Sequence, residues 1–369
     1  MKITFVLPGP STHPSGGYKI VYEYANRLTI LGHSVTILHP FFIPSIELHS
    51  PQIFSLPLIN RVVFYLRFLK NTRKRRPWSW FNINYRIRMR ITPNMRPFYV
   101  PNADILVATG WDTAEFGACC PSYKGKKYYF IQGLDTLWKG TNPERVMNTW
   151  KLPLQKIVVS RWLEEIGHNL GEHCIYIPDA IDFSEFNLDK PIEFRNSFTI
   201  CIINSELEFK GTADGLQALH LVKNKIPGIN VLMFGQTNRP ETLPDWVTYY
   251  QNPTPTKIRD IYNQSAIFIG TSWCEGFGLP GCEAAACGCA LCLADNGGHR
   301  EYAIQNKTAL LHPPKRPDLL AENIINLVKN NHNRIELALN ANMHSKNFSW
   351  DRSVIKLEQE FTMAVDKNK

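Results

Sequence analysis

The chain lacks a long hydrophobic run. None of its 369 residues belongs to a stretch of about 18 uncharged apolar residues, the length that a membrane-spanning helix needs. The opening residues 1–9 contain an apolar run that is too short for a secretion signal and is typical of a first β-strand. We therefore expect a cytoplasmic protein. A hydrophobic fraction of 44% with 20% charged residues excludes a disordered chain, and the length predicts two domains.

The sequence also lacks the usual patterns of a metal site. Four of its nine cysteines follow the spacing C-x4-C-x-C-x2-C, at Cys282, Cys287, Cys289 and Cys292, and this is not a zinc pattern. Because these cysteines lie among alanines and leucines, we expect reduced, buried thiols. No Asp-x-Asp motif follows a predicted strand. We therefore expect no metal ion and no other resident cofactor.

Acidic residues are absent from Leu48 to Ala103. The same stretch carries eleven arginines and lysines, and because the whole chain has a net charge of +9, the remaining residues carry −2. These charges are interleaved with aromatic and aliphatic residues in the basic segment, residues 45–100. Such a segment favours an anionic membrane surface as partner. A solvated loop or an anionic-acceptor site stays open, and nucleic acid is disfavoured because no nucleic-acid-binding signature accompanies the charges.

Strand-like and helix-like segments alternate along the chain, which predicts parallel sheets covered by helices on both faces. The pattern breaks around residues 177–182, so we place a domain boundary between residues 178 and 179. The predicted strands are 3–7, 34–38, 104–109, 127–131, 156–160, 198–203, 230–234, 247–250, 266–269, 290–294 and 309–311. The predicted helices are 18–31, 161–170, 212–223, 256–263, 283–287, 299–304, 318–330 and 351–365.

Two glutamates, Glu275 and Glu283, enclose a run rich in glycine. The residues between them are Gly276, Phe277, Gly278, Leu279, Pro280, Gly281 and Cys282. Glycines accept positive φ and let a ligand approach the main chain, and proline suits the first turn of a helix. Free N–H groups at that positive helix end bind phosphate or sugar oxygens. We expect Glu283 to lie in the first turn and to offer two oxygens to a diol such as a ribose. A glycine-rich turn between a solvated and a capping glutamate is the alternative.

The same residues resemble the signature of family 4 glycosyltransferases of the GT-B fold. The resemblance rests on Glu275, the seven residues that follow it, Glu283, and the small residues 284–288 after it. In that family the first glutamate contacts the transferred sugar, the following amides hold sugar and phosphate, and the second glutamate binds the ribose of the donor. The resemblance thus implies these roles for Glu275, for the Gly276–Leu279 amides and for Glu283.

The resemblance also implies an architecture, α/β with two doubly wound Rossmann-like domains that face each other across a cleft. Residues 1–178 would form the acceptor-side domain, which contains the basic segment, and residues 179–347 would bind the nucleotide sugar. Residues 348–369 would form a helix that returns to the first domain. The resemblance covers most of the chain outside the basic segment.

Lys210 and the pair Gly16 and Gly17 are further candidates. Lys210 follows the first strand of the second predicted domain, where a cation would stabilise the diphosphate leaving group. The family has an arginine a few residues before its Lys-Gly pair, whereas this chain has Asn204 and Ser205 there, so the cationic clamp is incomplete. Gly16 and Gly17 open the first predicted helix and resemble the family's N-terminal Gly-Gly loop, whose amides can approach a diphosphate.

Gln132 stands near the place where many relatives carry a histidine close to the reacting sugar. Glutamine binds a hydroxyl but cannot exchange a proton, so a side-chain base is not expected there. The family retains the anomeric configuration, commonly by a front-face route in which the departing phosphate accepts the acceptor proton. Asp112 or Asp135 would be the residues to assist.

These observations predict a retaining glycosyltransferase that moves a sugar from a nucleoside-diphosphate donor to a glycan or lipid-linked acceptor. Its setting would be polysaccharide or glycolipid assembly at the cytoplasmic face of a membrane, with peripheral attachment. The alternatives are a sugar-nucleotide-binding protein without turnover, a GT-B epimerase or phosphorylase, and a basic membrane- or nucleic-acid-binding protein on an α/β scaffold.

Overall fold

The computed structural model describes residues 1–41, 58–74, 76–138 and 140–366. Within the basic segment, residues 45–57 and residue 75 therefore lie outside the described residues. The hypotheses about those residues stay predictions.

The chain divides into two compact units. The first consists of Met1–Pro178 with Asp351–Lys369, and the second of Asp179–Trp350. In the first unit the Ser353 hydroxyl donates to the Pro178 carbonyl over 2.8 Å, which ties the C-terminal helix to the end of the first stretch.

A seven-stranded sheet forms the centre of the first unit, and all its strands are parallel. The strands are β1 (Lys2–Val6), β2 (Ser34–Pro40), β3 (Arg88–Thr92), β4 (Ile105–Ala108), β5 (Lys126–Ile131), β6 (Gln155–Val158) and β7 (Cys174–Tyr176). Their order in the sheet is β3-β2-β1-β4-β5-β6-β7. This order is doubly wound, with the switch in direction between β1 and β4. The parallel sheet predicted from the alternation is confirmed.

Helices cover this sheet. They are α1 (Gly16–Ile30), α2 (Leu58–Lys74), α3 (Trp111–Cys119), α4 (Pro143–Thr149) and α5 (Arg161–Asn169). The sequence prediction missed α2, α3 and α4 and the strands β3 and β7. Helix α4 spans only seven residues, and α3, although it has the same length as the predicted α5, is only weakly amphipathic, so neither shows a clear helical period in the sequence.

The second unit contains a parallel six-stranded sheet. Its strands are β8 (Thr199–Ile203), β9 (Asn230–Gly235), β10 (Val247–Gln251), β11 (Ile267–Gly270), β12 (Ala290–Ala294) and β13 (Ala309–His312). They lie in the order β10-β9-β8-β11-β12-β13, which again is doubly wound with the switch between β8 and β11. Cys282, Cys287, Cys289 and Cys292 are buried thiols, as predicted.

The helices of the second unit depart from the prediction in three places. They are α6 (Thr212–Lys225), α7 (Pro255–Gln264), α8 (Leu279–Ala286), α9 (Pro317–Lys329) and α10 (Asn331–Ser345), followed by α11 (Trp350–Asp366), which runs into the first unit. Helix α8 begins four residues before the predicted start at Glu283. The predicted helix at 299–304 is a single 3₁₀ turn, His299–Glu301. Helix α10 was missed.

Asp179, the first residue of the second unit, is buried and one of its carboxyl oxygens has no hydrogen-bond partner. Burial raises the pKa of this carboxyl from 3.8 to about 8. A neutral acid fits an apolar site because an unpaired buried charge is costly.

Replacing Asp179 with Asn should change how stability depends on pH. The folded pKa lies above the unfolded value, so the folded state binds more protons and the wild-type chain loses stability as pH rises from about 4 to about 8. The variant lacks this loss. Its free energy of unfolding minus that of the wild type should therefore grow between pH 5 and pH 8 by about 1.4 kcal/mol per pH unit, and the difference in melting temperature should grow with it. Parallel melting curves across this range, as expected for the exposed Asp245→Asn control, would contradict the assignment.

Candidate functional site

The two central strands of the second sheet, β8 and β11, place Lys210 and Glu275 together. Each residue lies in the loop that follows the carboxyl end of its strand, at the switch in sheet order where doubly wound folds collect ligands. The Lys210 ammonium donates to a Glu275 carboxylate oxygen over 2.7 Å. Both side chains retain contact with solvent, at 30% and 15% exposure, so the pair can be reached by a ligand.

Three contacts fix the loop that carries Lys210 against the loop that carries Glu275. The Thr271 hydroxyl donates to the Lys210 carbonyl over 3.0 Å, and the main-chain N–H of Trp273 donates to the Phe209 carbonyl over 2.7 Å. Gly211 takes a φ of 65°, and a Cβ there would lie 2.3 Å from the Thr271 carbonyl oxygen. Only glycine fits this position, so the sequence pair Lys210-Gly211 is required by the close approach of the two loops.

The charge of Glu275 is maintained by its neighbours. Burial by itself raises the pKa of this carboxyl, but the Lys210 and His299 side chains and hydrogen bonds from Lys210 and Ser272 outweigh it and hold the pKa below its usual range. Burial also lowers the pKa of His299. Near neutral pH the site therefore presents a carboxylate and an ammonium side by side, one able to accept from hydroxyls and the other able to meet an anion.

The glycine loop after Glu275 is shaped by Tyr302 and His299. Gly278 has a φ of 87°, and the Tyr302 hydroxyl donates to its carbonyl over 2.7 Å. A Cβ on Gly278 would lie 2.6 Å from the His299 ring. The Phe277 side chain is buried against Tyr302 and Phe348, so only the main chain of Phe277 is left to contact a ligand.

Helix α8 begins at the end of this loop, with Gly278 as its N-cap and Pro280 in its first positions. No side chain caps its first N–H groups, which suits anion binding at that end. The expectation that Glu283 lies in the first turn is wrong. Glu283 is the fifth residue of α8, because the helix starts at Leu279, and its partly exposed side chain lies one turn further along.

Sequence reasoning missed Ser272 and Asn296, and it gave His299 no role in the site. The Asn296 side-chain amide donates to the Ser272 carbonyl over 2.8 Å. Its side-chain oxygen accepts from the main-chain N–H of His299 over 3.0 Å. These residues follow β11 and β12 directly. Polar residues just after two neighbouring parallel strands are the signal that would have found them.

The first unit holds the remaining candidates. Helix α1 begins at Gly16, and a Cβ on Gly17 would lie 3.5 Å from the Gln132 side chain, so these two residues are neighbours. Burial, then the charge of Asp112, raises the pKa of Asp135 to about 7, although a hydrogen bond with Trp138 opposes the shift. The Gly-Gly loop, Gln132 and Asp135 thus all belong to the first unit.

The place of the expected arginine is filled by neutral contacts. The Asn204 amide lies 3.3 Å from the Tyr249 hydroxyl, and the Ser205 N–H donates to the Thr212 hydroxyl over 3.0 Å. The Arg300 guanidinium makes a bidentate ion pair with the Asp295 carboxylate, with N–O distances of 2.6 and 2.9 Å. Among the residues that the structure describes, Lys210 forms the ion pair with Glu275.

Neither a metal-binding cluster nor a membrane-spanning helix is found in the described part of the chain. No group of three or more His, Cys, Asp or Glu side chains is arranged to hold a metal ion there. No helix within 1–41, 58–74, 76–138 and 140–366 is long and apolar enough to cross a membrane.

A family model matches the part of the chain that carries this site. Residues 184–344 match the family model described as "Glycosyl transferases group 1". The matched stretch lies within the second unit. It contains Lys210, Glu275, Glu283 and the loop between the glutamates, so the resemblance predicted from these residues is confirmed.

Curated relatives match part of the chain. The chain is 32% identical over 119 residues to a D-inositol 3-phosphate glycosyltransferase of Rhodococcus erythropolis, covering 32% of this chain and 27% of that protein. It is 25% identical over 203 residues to the protein of that name in Mycobacteroides abscessus, covering 50% of this chain and 45% of the relative. The matches thus span about a quarter to a half of the relatives' length.

Solved structures resemble the chain over nearly its whole length. Sucrose-phosphate synthase of Thermosynechococcus elongatus superposes with a TM-score of 0.72 at 16% identity, covering 98% of both chains. HepE of Anabaena in complex with UDP-glucose gives 0.70 at 15% identity, covering 100% of both. At this identity the likeness shows the fold alone. Together with the two doubly wound sheets, it confirms the predicted GT-B α/β fold class.

Proposed function

We propose that the protein is a glycosyltransferase that transfers a sugar from a nucleoside-diphosphate donor with retention of configuration. The observation that carries the proposal is the Lys210–Glu275 ion pair beside the uncapped start of α8. A nucleotide sugar needs a cation and N–H donors for its diphosphate and an acceptor for its sugar hydroxyls. This pair and the residues that follow Glu275 supply all three.

In this proposal each group has one task. The Glu275 carboxylate accepts hydrogen bonds from the sugar, and Lys210 with the Gly276–Leu279 amides stabilises the negative charge that develops on the diphosphate as the glycosidic bond breaks. Glu283 binds the ribose. Gly16 and Gly17 are proposed to add main-chain donors for the donor's phosphates. Lys210 and these main-chain N–H groups compensate the negative charge of the diphosphate, and we assign no metal or cofactor.

The acceptor and the setting are also part of the proposal. The positive charge of the first unit supports a glycan or lipid-linked acceptor at the cytoplasmic face of a membrane, with the protein attached peripherally. Retention is supported by Gln132, which cannot serve as a base, and the departing phosphate then takes the acceptor proton.

Thermal-shift measurements against UDP-, GDP-, dTDP- and ADP-sugars test the proposal. A bound donor raises the melting temperature by mass action, and nucleotide release from the same donor reports turnover. We expect one base to give a clear shift and slow release. No shift with any member of the panel would contradict the proposed function.

Replacing Glu283 with Ala should weaken donor binding by about ten- to a hundredfold, because a charge-assisted hydrogen bond contributes roughly 1.5–3 kcal/mol. Isothermal titration of the donor measures the effect. The exposed Glu322→Ala on α9 is the matched control and should bind normally. A Glu283 variant with wild-type affinity would refute the ribose role.

A second candidate function is supported by the neutral side chains at Asn204 and Ser205. Because neutral residues stand where the family has an arginine, Lys210 has no second cation at that place to help stabilise the leaving diphosphate. Such a site suits a protein that binds the donor without turnover. A melting shift with no nucleotide release would favour this candidate over the transferase.

A further inference from the structure

Helix α2 presents a row of apolar side chains to solvent. Four residues of this helix are 40–76% exposed, and we call them the apolar stripe: Ile59, Val62, Val63 and Leu66. Their spacing of i, i+3, i+4 and i+7 places them on one face of the helix. An amphipathic helix is normally held to a protein by burial of its apolar face. In α2 the apolar stripe is exposed to solvent instead.

The opposite face of α2 is the one that packs on the protein. The Tyr65 and Phe68 rings contact Phe41 at centroid distances of 5.5 and 4.5 Å. The Tyr65 hydroxyl also donates to the Ile91 carbonyl on β3 over 3.3 Å. Helix α2 is therefore attached beside the edge strand of the first sheet through Tyr65 and Phe68, and the side chains of its apolar stripe are exposed.

Exposed basic side chains accompany the apolar stripe on α2 and on the neighbouring edge strand. Arg67 and Lys70 extend from the same helix, and Arg88 and Arg90 are exposed on the edge strand that Tyr65 contacts. No acidic residue occurs between Leu48 and Ala103 to neutralise them. Further exposed arginines of the basic segment are Arg76, Arg86 and Arg96.

We propose that α2 docks on an anionic lipid bilayer, with the apolar stripe inserted among the headgroups and the basic side chains on lipid phosphates. An amphipathic helix with an apolar face and a lysine- and arginine-rich border lies in the plane of such an interface. A second copy of the chain fits less well, because it would bring two positively charged segments together. Nucleic acid accounts for the charges but gives the apolar stripe no partner.

The inference deepens the proposed function, on whose membrane setting it rests, and it does not involve the donor site. Flotation of the full chain with phosphatidylcholine vesicles, with and without phosphatidylglycerol, tests it. We expect flotation with the anionic vesicles and its loss at high salt. The double variant Val62→Glu, Leu66→Glu should reduce vesicle binding by at least about tenfold. The control Met343→Glu, Ile355→Glu changes the charge equally at exposed apolar residues of α10 and α11 and should float like the wild type.

Charge removal gives a second measurement. Arg67→Gln with Lys70→Gln should weaken binding about fivefold per residue, whereas Lys225→Gln with Lys329→Gln on the second unit should not. The inference is overturned if the wild-type chain does not bind vesicles, or if the apolar-stripe variant binds them as the wild type does. It is also overturned if α2 mediates self-association or RNA binding and no vesicle binding is seen. Nucleotide release by each variant is measured alongside. Normal nucleotide release by a chain that does not float with anionic vesicles refutes the membrane docking of α2 and leaves the proposed transferase intact. Flotation of a chain that releases no nucleotide refutes the transferase function and leaves the docking intact.

Discussion

Replacing Glu275 with Gln should lower kcat for nucleotide release or sugar transfer by about a hundredfold or more. The substitution keeps the size of the side chain but replaces an acceptor-only carboxylate with an amide, and it removes the anion on Lys210. Removal of one preorganised electrostatic group from a water-poor site typically costs two to three orders of magnitude in kcat.

The control for this variant is Glu336→Gln, an exposed change of the same kind on α10. It should leave kcat unchanged. Donor affinity of the Glu275 variant should change less than kcat, since the diphosphate and ribose contacts remain. Near-normal turnover by folded Glu275→Gln protein would show that this carboxylate is not part of the chemistry.

Replacing Lys210 with Met should lower kcat by a similar factor and also move the pH profile. Burial raises the pKa of Glu275, and Lys210 is the first of the groups that oppose it. Without the ammonium the pKa of Glu275 should rise, so the acidic limb of the kcat profile should shift to higher pH. Lys225→Met, at an exposed lysine of α6, is the matched control.

The two variants should not be additive, because they remove the two halves of one ion pair. In a double-mutant cycle, Lys210→Met with Glu275→Gln should be little worse than the more damaging single variant. Full additivity of the two losses would indicate that the residues act independently, which the 2.7 Å contact contradicts.

Much of this site was accessible from the sequence because it depends on local pattern. The strands on either side of the loops are continuous apolar runs, and Gly211 and Gly278 stand where positive φ is needed. The family model then matched the stretch that contains both glutamates. The pairing of Lys210 with Glu275 was not accessible, since 65 residues separate them and the contact arises from the adjacency of β8 and β11.

Other features depend on tertiary contacts that no local pattern carries. Helix α10 begins with asparagines, which are poor helix formers, yet Leu337 and Ala338 bury it in the core of the second unit. Its Asn342 amide donates to the last carbonyls of α8 at 3.1 and 2.7 Å. The start of α8 was misjudged for a related reason, because the bond from Tyr302 to Gly278 sets where the helix begins.

A crystal structure of the chain with the sugar nucleotide that gives the largest thermal shift tests the central claim most directly. We expect sugar hydroxyls within hydrogen-bond distance of Glu275, the diphosphate on Lys210 and the Gly276–Leu279 amides, and the ribose on Glu283. A nucleotide sugar bound with its diphosphate away from the start of α8, or with Glu275 still occupied only by Lys210, would contradict it.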